Sequence, residues 1–207
     1  MNMRNKFEEI LGKLSELELD YQENKGIILT EYDLQCLLFY KLYDLFEHNQ
    51  ETFDPHIKGS PLHSEIKFFD ENGKLYYQPD ITIISPNNYS IIHSIAEFTI
   101  DDTKIKYKPT SSKEFEFGGD SIIIELKFCR NRKGIIKVDS YKKDLEKIKK
   151  IKELVERNSH NKVYGIVAIF NKTDCKSTIF DDFIRTNNIL SDIKVQYYTG
   201  KFEYENQ

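Results

Sequence analysis

Two stretches of the chain carry acids within otherwise apolar strands. Asp80 follows Pro79 at the entrance to an isoleucine-rich strand, and Glu125 lies with Lys127 in the run Ile-Ile-Ile-Glu-Leu-Lys-Phe that begins at position 122. Because strand side chains alternate, Glu125 and Lys127 share one face, and the other face is apolar. An acid and a lysine side by side on such a strand are costly to desolvate unless they are used.

These residue types suit a hard divalent cation. Carboxylates on adjacent strands, completed by a main-chain carbonyl and water, are ligands that Mg²⁺ and Mn²⁺ prefer. Such an ion acidifies a bound water and neutralises charge on a phosphate ester under attack. Lys127 should keep its charge beside the acids and orient or activate the attacking water. A third acid, Glu65, lies early in another predicted strand, the one that precedes the strand of Asp80.

Hydrophobic spacing predicts the elements that position these acids. Helices are expected at 3–18 and 31–47, with Thr30 as the N-cap of the second and Asp33 completing a capping box. An Asn-Gly step predicts a β-hairpin. The further predicted elements are hairpin strands at 63–69 and 75–84, a strand at 122–128, a helix at 138–157, a strand at 163–170, a helix at 177–186 and a strand at 193–199. Residues 85–120 form an insertion whose conformation the pattern does not predict.

Pro79-Asp80 followed by Glu125-Leu126-Lys127 resembles the signature of the PD-(D/E)XK nuclease superfamily, an acid after Pro and then E-x-K on the next core strand. Over roughly residues 30–171 the predicted order is similar to that family's α-β-β-β-α-β core. The resemblance implies an α/β, restriction-endonuclease-like sandwich. Its central mixed sheet is flanked by helices and has an insertion between the second and third core strands. E-x-K alone is unspecific and occurs elsewhere in this chain, but Pro-Asp occurs once.

The resemblance also assigns roles. Asp80 and Glu125 would bind Mg (or Mn), with the Leu126 carbonyl as a further ligand. Glu65 binds a second ion or is a solvated hairpin acid. Glu31, at the start of the second helix, is either catalytic or a favourable charge at a helix N-terminus.

Positive charge is concentrated after the E-x-K strand. From residue 126 to 153 there are eleven Lys or Arg and four Asp or Glu, in a chain of net charge −4. A basic zone on an acidic body suits a polyanion, and a solvated helix face is the alternative. The residues expected to contact phosphates are Arg130, Arg132, Lys133, Lys137, Lys143 and Lys147. Asp139 and Asp144 could pair with the two helical lysines.

Composition excludes other classes. The three cysteines are far apart and the five histidines show no metal-binding spacing, so a zinc site, an iron–sulfur cluster and a disulfide framework are not expected. P-loop, G-x-G-x-x-G and G-x-S-x-G motifs are absent from the sequence. The absence of a long apolar run or leader pattern predicts a cytoplasmic protein with no membrane partner.

At 207 residues, a single domain is expected. Residues 1–29 form a helical extension, 30–171 the core with its insertion at 85–120, and 172–207 a C-terminal helix and strand. The leading interpretation is a metal-dependent DNA endonuclease, with DNA favoured over RNA and a homodimer as a hypothesis. The alternatives are a non-catalytic nucleic-acid-binding or assembly module with the same fold, and an unrelated α/β protein with structural ion pairs.

Overall fold

The computed structural model describes residues 1–70, 72, 74–91, 96–100, 103–107, 116–131, 138–157, 160–173, 178–187 and 189–202. The α-helices in this part of the chain are α1 (Met3–Glu23), α2 (Glu31–Tyr43), α3 (Val138–Glu156) and α4 (Thr178–Thr186). Its strands are β1 (Gln50–Glu51), β2 (Lys58–Gly59), β3 (Leu62–Ser64), β4 (Phe68–Phe69), β5 (Leu75–Tyr77), β6 (Ile81–Ile84), β7 (Tyr89–Ser90), β8 (Ala96–Ile100), β9 (Thr103–Tyr107), β10 (Glu116–Phe117), β11 (Ser121–Cys129), β12 (Val163–Thr173) and β13 (Ile193–Phe202). None of the described helices is long and apolar enough to span a membrane.

Five strands form a mixed central sheet in the order β13-β12-β11-β6-β3. β11, β12 and β13 are parallel, because α3 and α4 return the chain between them, whereas β6 is antiparallel to both of its neighbours. The α/β class with a mixed sheet between helices is therefore confirmed.

The alternation predicted for β11 divides the apolar core between the two faces of the sheet. Ile122, Ile124 and Leu126 pack with α1 and α2, whereas Ile123 packs with α3 and Phe183 of α4. Glu125 and Lys127 follow Ile123 in the same alternation. Glu125, the acid of β11, therefore lies on the face of the sheet that packs against α3.

The start of α2 is fixed by the predicted capping box. Thr30 Oγ1 accepts a hydrogen bond from the Asp33 N–H, and Asp33 Oδ2 accepts one from the Thr30 N–H, at 3.1 and 2.9 Å. Glu31 is consequently the first residue of the helix. α1 continues to Glu23, beyond the predicted end at residue 18, because Tyr21 extends its buried stripe by one turn.

The predicted hairpin forms, but each of its strands is divided in two. β3 pairs with β6 and β4 with β5, in antiparallel ladders that share one register apart from a shift at Phe69. Between the ladders, Glu65 has a φ of +55°, a left-handed conformation that favours glycine, and Pro79 has no N–H to donate. The interruptions fall at 65–67 and 78–80, so Asp80 lies in one of them.

The insertion at 85–120 contains two described pairs of strands. β7 pairs with β10, and β8 pairs with β9. Neither pair belongs to the central sheet.

α3 packs closely against β12 because Gly165 has no side chain. A Cβ atom at Gly165 would lie 2.4 Å from Ile148 Cγ2, well inside van der Waals contact. The glycine therefore sets how near α3 comes to the sheet, and with it the reach of the polar side chains that α3 directs at β11.

Candidate functional site

Asp80 and Glu125 meet where β6 and β11 lie side by side. The last pair of that antiparallel ladder is Ile81 with Ile124, so continuing its register by one residue sets Asp80 opposite Glu125. Directly opposed residues have Cβ atoms about 4.5–5.5 Å apart and share a face of the sheet. The structure thus brings together the two acids that the sequence singled out.

The Asp80 carboxylate is held by a main-chain N–H of the neighbouring strand β11. Its Oδ2 accepts a hydrogen bond of 2.6 Å from the Leu126 N–H, and its own carbonyl accepts one of 2.9 Å from Gln35 Nε2 of α2. Burial raises the pKa of Asp80 above its ordinary value, against the opposing effects of the Leu126 hydrogen bond and the Lys127 charge.

Glu125 is the most deeply buried acid of the site, with 1% of its surface exposed. Its Oε2 accepts a hydrogen bond from Lys147 Nζ at 2.8 Å, and Lys147 also donates to the Gln78 carbonyl. Its Oε1 is buried and has no hydrogen-bond partner among the residues that the structure describes. Burial raises the pKa of Glu125 to about 8, although the Lys147 charge lowers it.

Lys127 is surrounded by oxygen atoms from three elements. Its Nζ lies 3.3 Å from Glu31 Oε1, 3.4 Å from Asp144 Oδ2 and 3.1 Å from the carbonyl of Leu126. Burial lowers the pKa of Lys127, but Asp144 and Glu31 raise it more, and the net shift is upward. The side chain is therefore a charged ammonium beside the two acids.

Glu31 joins the site through its place at the start of α2. Besides pairing with Lys127, it accepts a hydrogen bond of 3.0 Å from the Phe128 N–H through Oε2. Glu31 thus ties the N-terminus of α2 to β11, in addition to the favourable position of its charge at a helix N-terminus.

Asp144 also belongs to the site. The sequence predicts for it only an ion pair with a lysine of its own helix. It is buried in α3, and burial raises its pKa while Lys127 and Lys147 lower it. The signal was present in the helical spacing. Asp144 lies three residues after the buried Tyr141 and four before the buried Ile148, so it belongs to the inward stripe.

Among the described residues, the Glu65 carboxylate bonds to Gln78 and to neither of the two acids. The main-chain N–H of Glu65 donates to the Asp80 carbonyl, but its left-handed backbone directs the side chain to Gln78, whose Nε2 donates to Glu65 Oε2 at 3.0 Å. The carboxylate lines a groove beside the exposed face of α2. Its contacts are those of a hairpin acid.

The predicted phosphate contacts are only partly described. Arg130 and Lys143 are exposed, whereas Lys147 is directed at Glu125. Arg132, Lys133 and Lys137 lie outside the described residues.

The site offers oxygen atoms that suit a hard cation, but few acidic side chains to bind one. Asp80 and Glu125 supply carboxylate oxygens, and the unpartnered Oε1 of Glu125 is a buried acceptor that a cation would satisfy. Among the described residues, however, no three His, Cys, Asp or Glu side chains are grouped to hold a metal ion. An ion held here would take two carboxylates, with the Leu126 carbonyl and water completing its coordination.

Comparison with known proteins adds no family to these observations. The chain matches no family model, no curated protein and no solved structure.

Proposed function

We propose that the protein is a metal-dependent nuclease that hydrolyses phosphodiester bonds, most readily understood as a DNA endonuclease with a restriction-endonuclease-like core. The observation that carries the proposal is that Asp80 and Glu125 each adjoin the last pair of the β6–β11 ladder, Ile81 with Ile124, beside a charged Lys127. One buried oxygen of Glu125 has no partner among the described residues. The chain order of α2, the hairpin, β11, α3 and β12 supports the same core.

Each residue has a part in such a reaction. Asp80, Glu125 and the Leu126 carbonyl would hold Mg²⁺ or Mn²⁺, which when bound stabilises charge on the phosphate and lowers the pKa of water. The Leu126 N–H fixes the Asp80 carboxylate, and Glu31 and Asp144 fix the Lys127 ammonium. Lys127 Nζ then donates hydrogen bonds to the attacking water or to a phosphate oxygen.

The test is cleavage of supercoiled plasmid and of single-stranded oligonucleotides with Mg²⁺ or Mn²⁺. We expect Asp80→Asn and Lys127→Met each to reduce the rate roughly 100-fold or more, since each removes a charge that acts in the transition state. Glu8→Gln, at an exposed acid of α1, is the matched control and should cleave like the wild type. Cleavage that survives in both site variants would contradict the proposal.

One observation favours a second candidate, a non-catalytic module that retains this fold. Lys147 already supplies a positive charge to Glu125 at 2.8 Å, as a structural ion pair would. Calorimetric titration with Mn²⁺ separates the candidates, because the nuclease requires ion binding that Asp80→Asn weakens. A module with a purely structural ion pair binds no ion and cuts no nucleic acid.

A further inference from the structure

A groove of about 740 Å³ lies between β5 and α3, beside the candidate site. One wall carries two tyrosines, Tyr76 and Tyr77, and the other carries four lysines, Lys142, Lys143, Lys147 and Lys150. This volume falls within the range of about 300–1,000 Å³ that is usual for ligand pockets. We refer to it as the β5–α3 groove.

Tyr76 presents an aromatic surface to solvent. It is 71% exposed, and its ring meets that of Tyr77 edge to face, with centroids 5.1 Å apart. An exposed ring of this kind does not contribute to the apolar core, and the neighbouring ring limits the directions in which it can turn. Tyr76 therefore offers a flat, partly ordered face for stacking.

The lysine wall makes the groove electropositive. Lys142 and Lys143 are exposed and form no ion pair with any described residue. Two acids also line the groove, Asp139 and Glu146, but Glu146 is paired with Lys149 at 3.1 Å. Lys147 is paired with Glu125 at 2.8 Å and Lys150 with Glu153 at 3.2 Å, so the excess of positive charge beside the aromatic wall comes from Lys142 and Lys143 against Asp139.

The groove and the candidate site share a residue. Lys147 lines the groove and also bonds Glu125, the buried acid of the site. Lys147 therefore connects the lysine wall to the buried Glu125, and a phosphodiester chain along that wall would approach the candidate site. This continuity identifies a polyanion as the occupant rather than a small apolar ligand.

We propose that the β5–α3 groove binds a single-stranded segment of nucleic acid, with an unpaired base stacked on Tyr76 and the phosphates on the lysine wall. An unpaired base has a free face for the ring, whereas a base within a duplex is already stacked on both sides. The inference rests on the proposed function for its substrate class and adds to it a preference for unpaired strands.

The test measures binding in EDTA, where no cleavage is expected, by fluorescence anisotropy with oligonucleotides of roughly 20 nucleotides. Single-stranded dT, single-stranded rU and a duplex of equal length form the three arms. We expect both single strands to bind more tightly than the duplex, and the two single-stranded arms show whether the groove distinguishes DNA from RNA. Tighter binding of the duplex would overturn the proposal.

Matched variants separate stacking from charge. Tyr76→Ala should weaken single-strand binding roughly tenfold and Tyr76→Phe should restore it, because the ring and not the hydroxyl stacks. Tyr40→Ala, at a tyrosine of α2 that is 74% exposed and outside the groove, should have no effect. Equal losses from Tyr76→Ala and Tyr40→Ala, or no loss from Tyr76→Ala, would overturn the proposal.

Lys143→Gln should weaken single-strand and duplex binding alike, whereas Lys194→Gln, at an exposed lysine of β13, should weaken neither. If Lys143→Gln leaves single-strand binding unchanged, the lysine wall is not the phosphate contact and the proposal fails. Metal-dependent cleavage without Tyr76-dependent binding would reject this inference alone. Tyr76-dependent binding without cleavage would reject the proposed nuclease function alone.

Discussion

Lys127 and Lys147 give the two acids of the site different electrostatic surroundings. Lys147 pairs directly with Glu125, whereas Lys127 is held mainly by Glu31 and Asp144. Because its partners are on α2 and α3, the Lys127 ammonium stays beside Asp80 without being neutralised by it. Asp144 is therefore a positioning residue for Lys127.

Asp144→Asn is expected to reduce cleavage roughly 10- to 100-fold, as is usual when a residue that orients a site group is replaced. Mn²⁺ affinity, measured by calorimetry, should change little, because Asp144 is not a proposed ligand. A parallel fall in metal affinity would show that Asp144 acts on the ion and not on Lys127.

His63 supplies a pH dependence of stability that is separate from the site. It is half-buried in β3, its buried Nε2 has no hydrogen-bond partner among the described residues, and desolvation lowers its pKa below the ordinary 6.5. The folded state thus favours neutral His63. Its contribution to stability is complete above pH 6.5 and is lost as the pH falls below that value toward the lower folded pKa.

Urea unfolding at about pH 7.5 and about pH 5 checks this expectation. His63→Phe, which keeps an aromatic ring against Tyr89, should lose less stability between the two pH values than the wild type does. Equal losses would show that His63 accepts its proton in the folded state without cost.

At the scale of elements, the approach of α3 to the sheet is the feature most open to test. Gly165→Ala would place a methyl group against Ile148 and is expected to cost about 1–3 kcal/mol of unfolding free energy. Gly12→Ala is the matched control. It lies within α1 with nothing inside 4 Å of the added Cβ, and should stabilise the protein by about 0.5–1 kcal/mol.

Chemical denaturation of both variants measures the two free energies. A Gly165→Ala protein as stable as the wild type would show that α3 can move outward. In that case the contacts of Lys147 and Asp144 with β11 should weaken as well.

The sequence predicted most elements of the fold, because hydrophobic period and turn chemistry are local properties. The inward stripe of α3, the alternation of β11 and the capping box of α2 all appear as expected. The breaks in the hairpin were not predicted. They depend on the left-handed backbone conformation of Glu65, which the residue type does not predict because only glycine adopts it readily.

The candidate site was predictable in part for the same reason. Strand alternation and hairpin order predict that Asp80 lies near Glu125, and in the structure burial and the Asp80 charge both contribute to the raised pKa of Glu125. Which cation pairs with which acid was not predictable, since it depends on how closely α3 packs on β12. The ion pairs of Lys147 with Glu125 and of Asp144 with Lys127 are therefore a result of tertiary packing.

At the scale of the whole molecule, charge distribution governs how a polyanion would approach. The chain carries a net charge of −4, yet the stretch from residue 126 to 153 holds eleven Lys or Arg against four acids. Nucleic acid should therefore be attracted to one side of the protein and repelled by the rest.

The expected outcome is a steep fall of nucleic-acid affinity with added salt, measured in EDTA by anisotropy. Arg130→Gln, at the exposed residue that follows β11, should weaken binding at low salt and reduce the salt slope by about one. Arg4→Gln, at an exposed position of α1, removes the same charge elsewhere and should leave the slope unchanged. An affinity that does not respond to salt would exclude phosphate contacts as the source of binding.

The homodimer stays a prediction, which sedimentation at working concentrations would check.

The shared register of β6 and β11 has a consequence for how this chain can vary in evolution. The opposition of Asp80 and Glu125 follows from the Ile81–Ile124 pair, and none of the strands described between residues 85 and 120 belongs to that sheet. Homologues should therefore tolerate insertions and deletions in the connection from residue 85 to 120. A single-residue insertion between Asp80 and Ile81 would instead turn the acid to the opposite face of the sheet, so chain length there should be invariant.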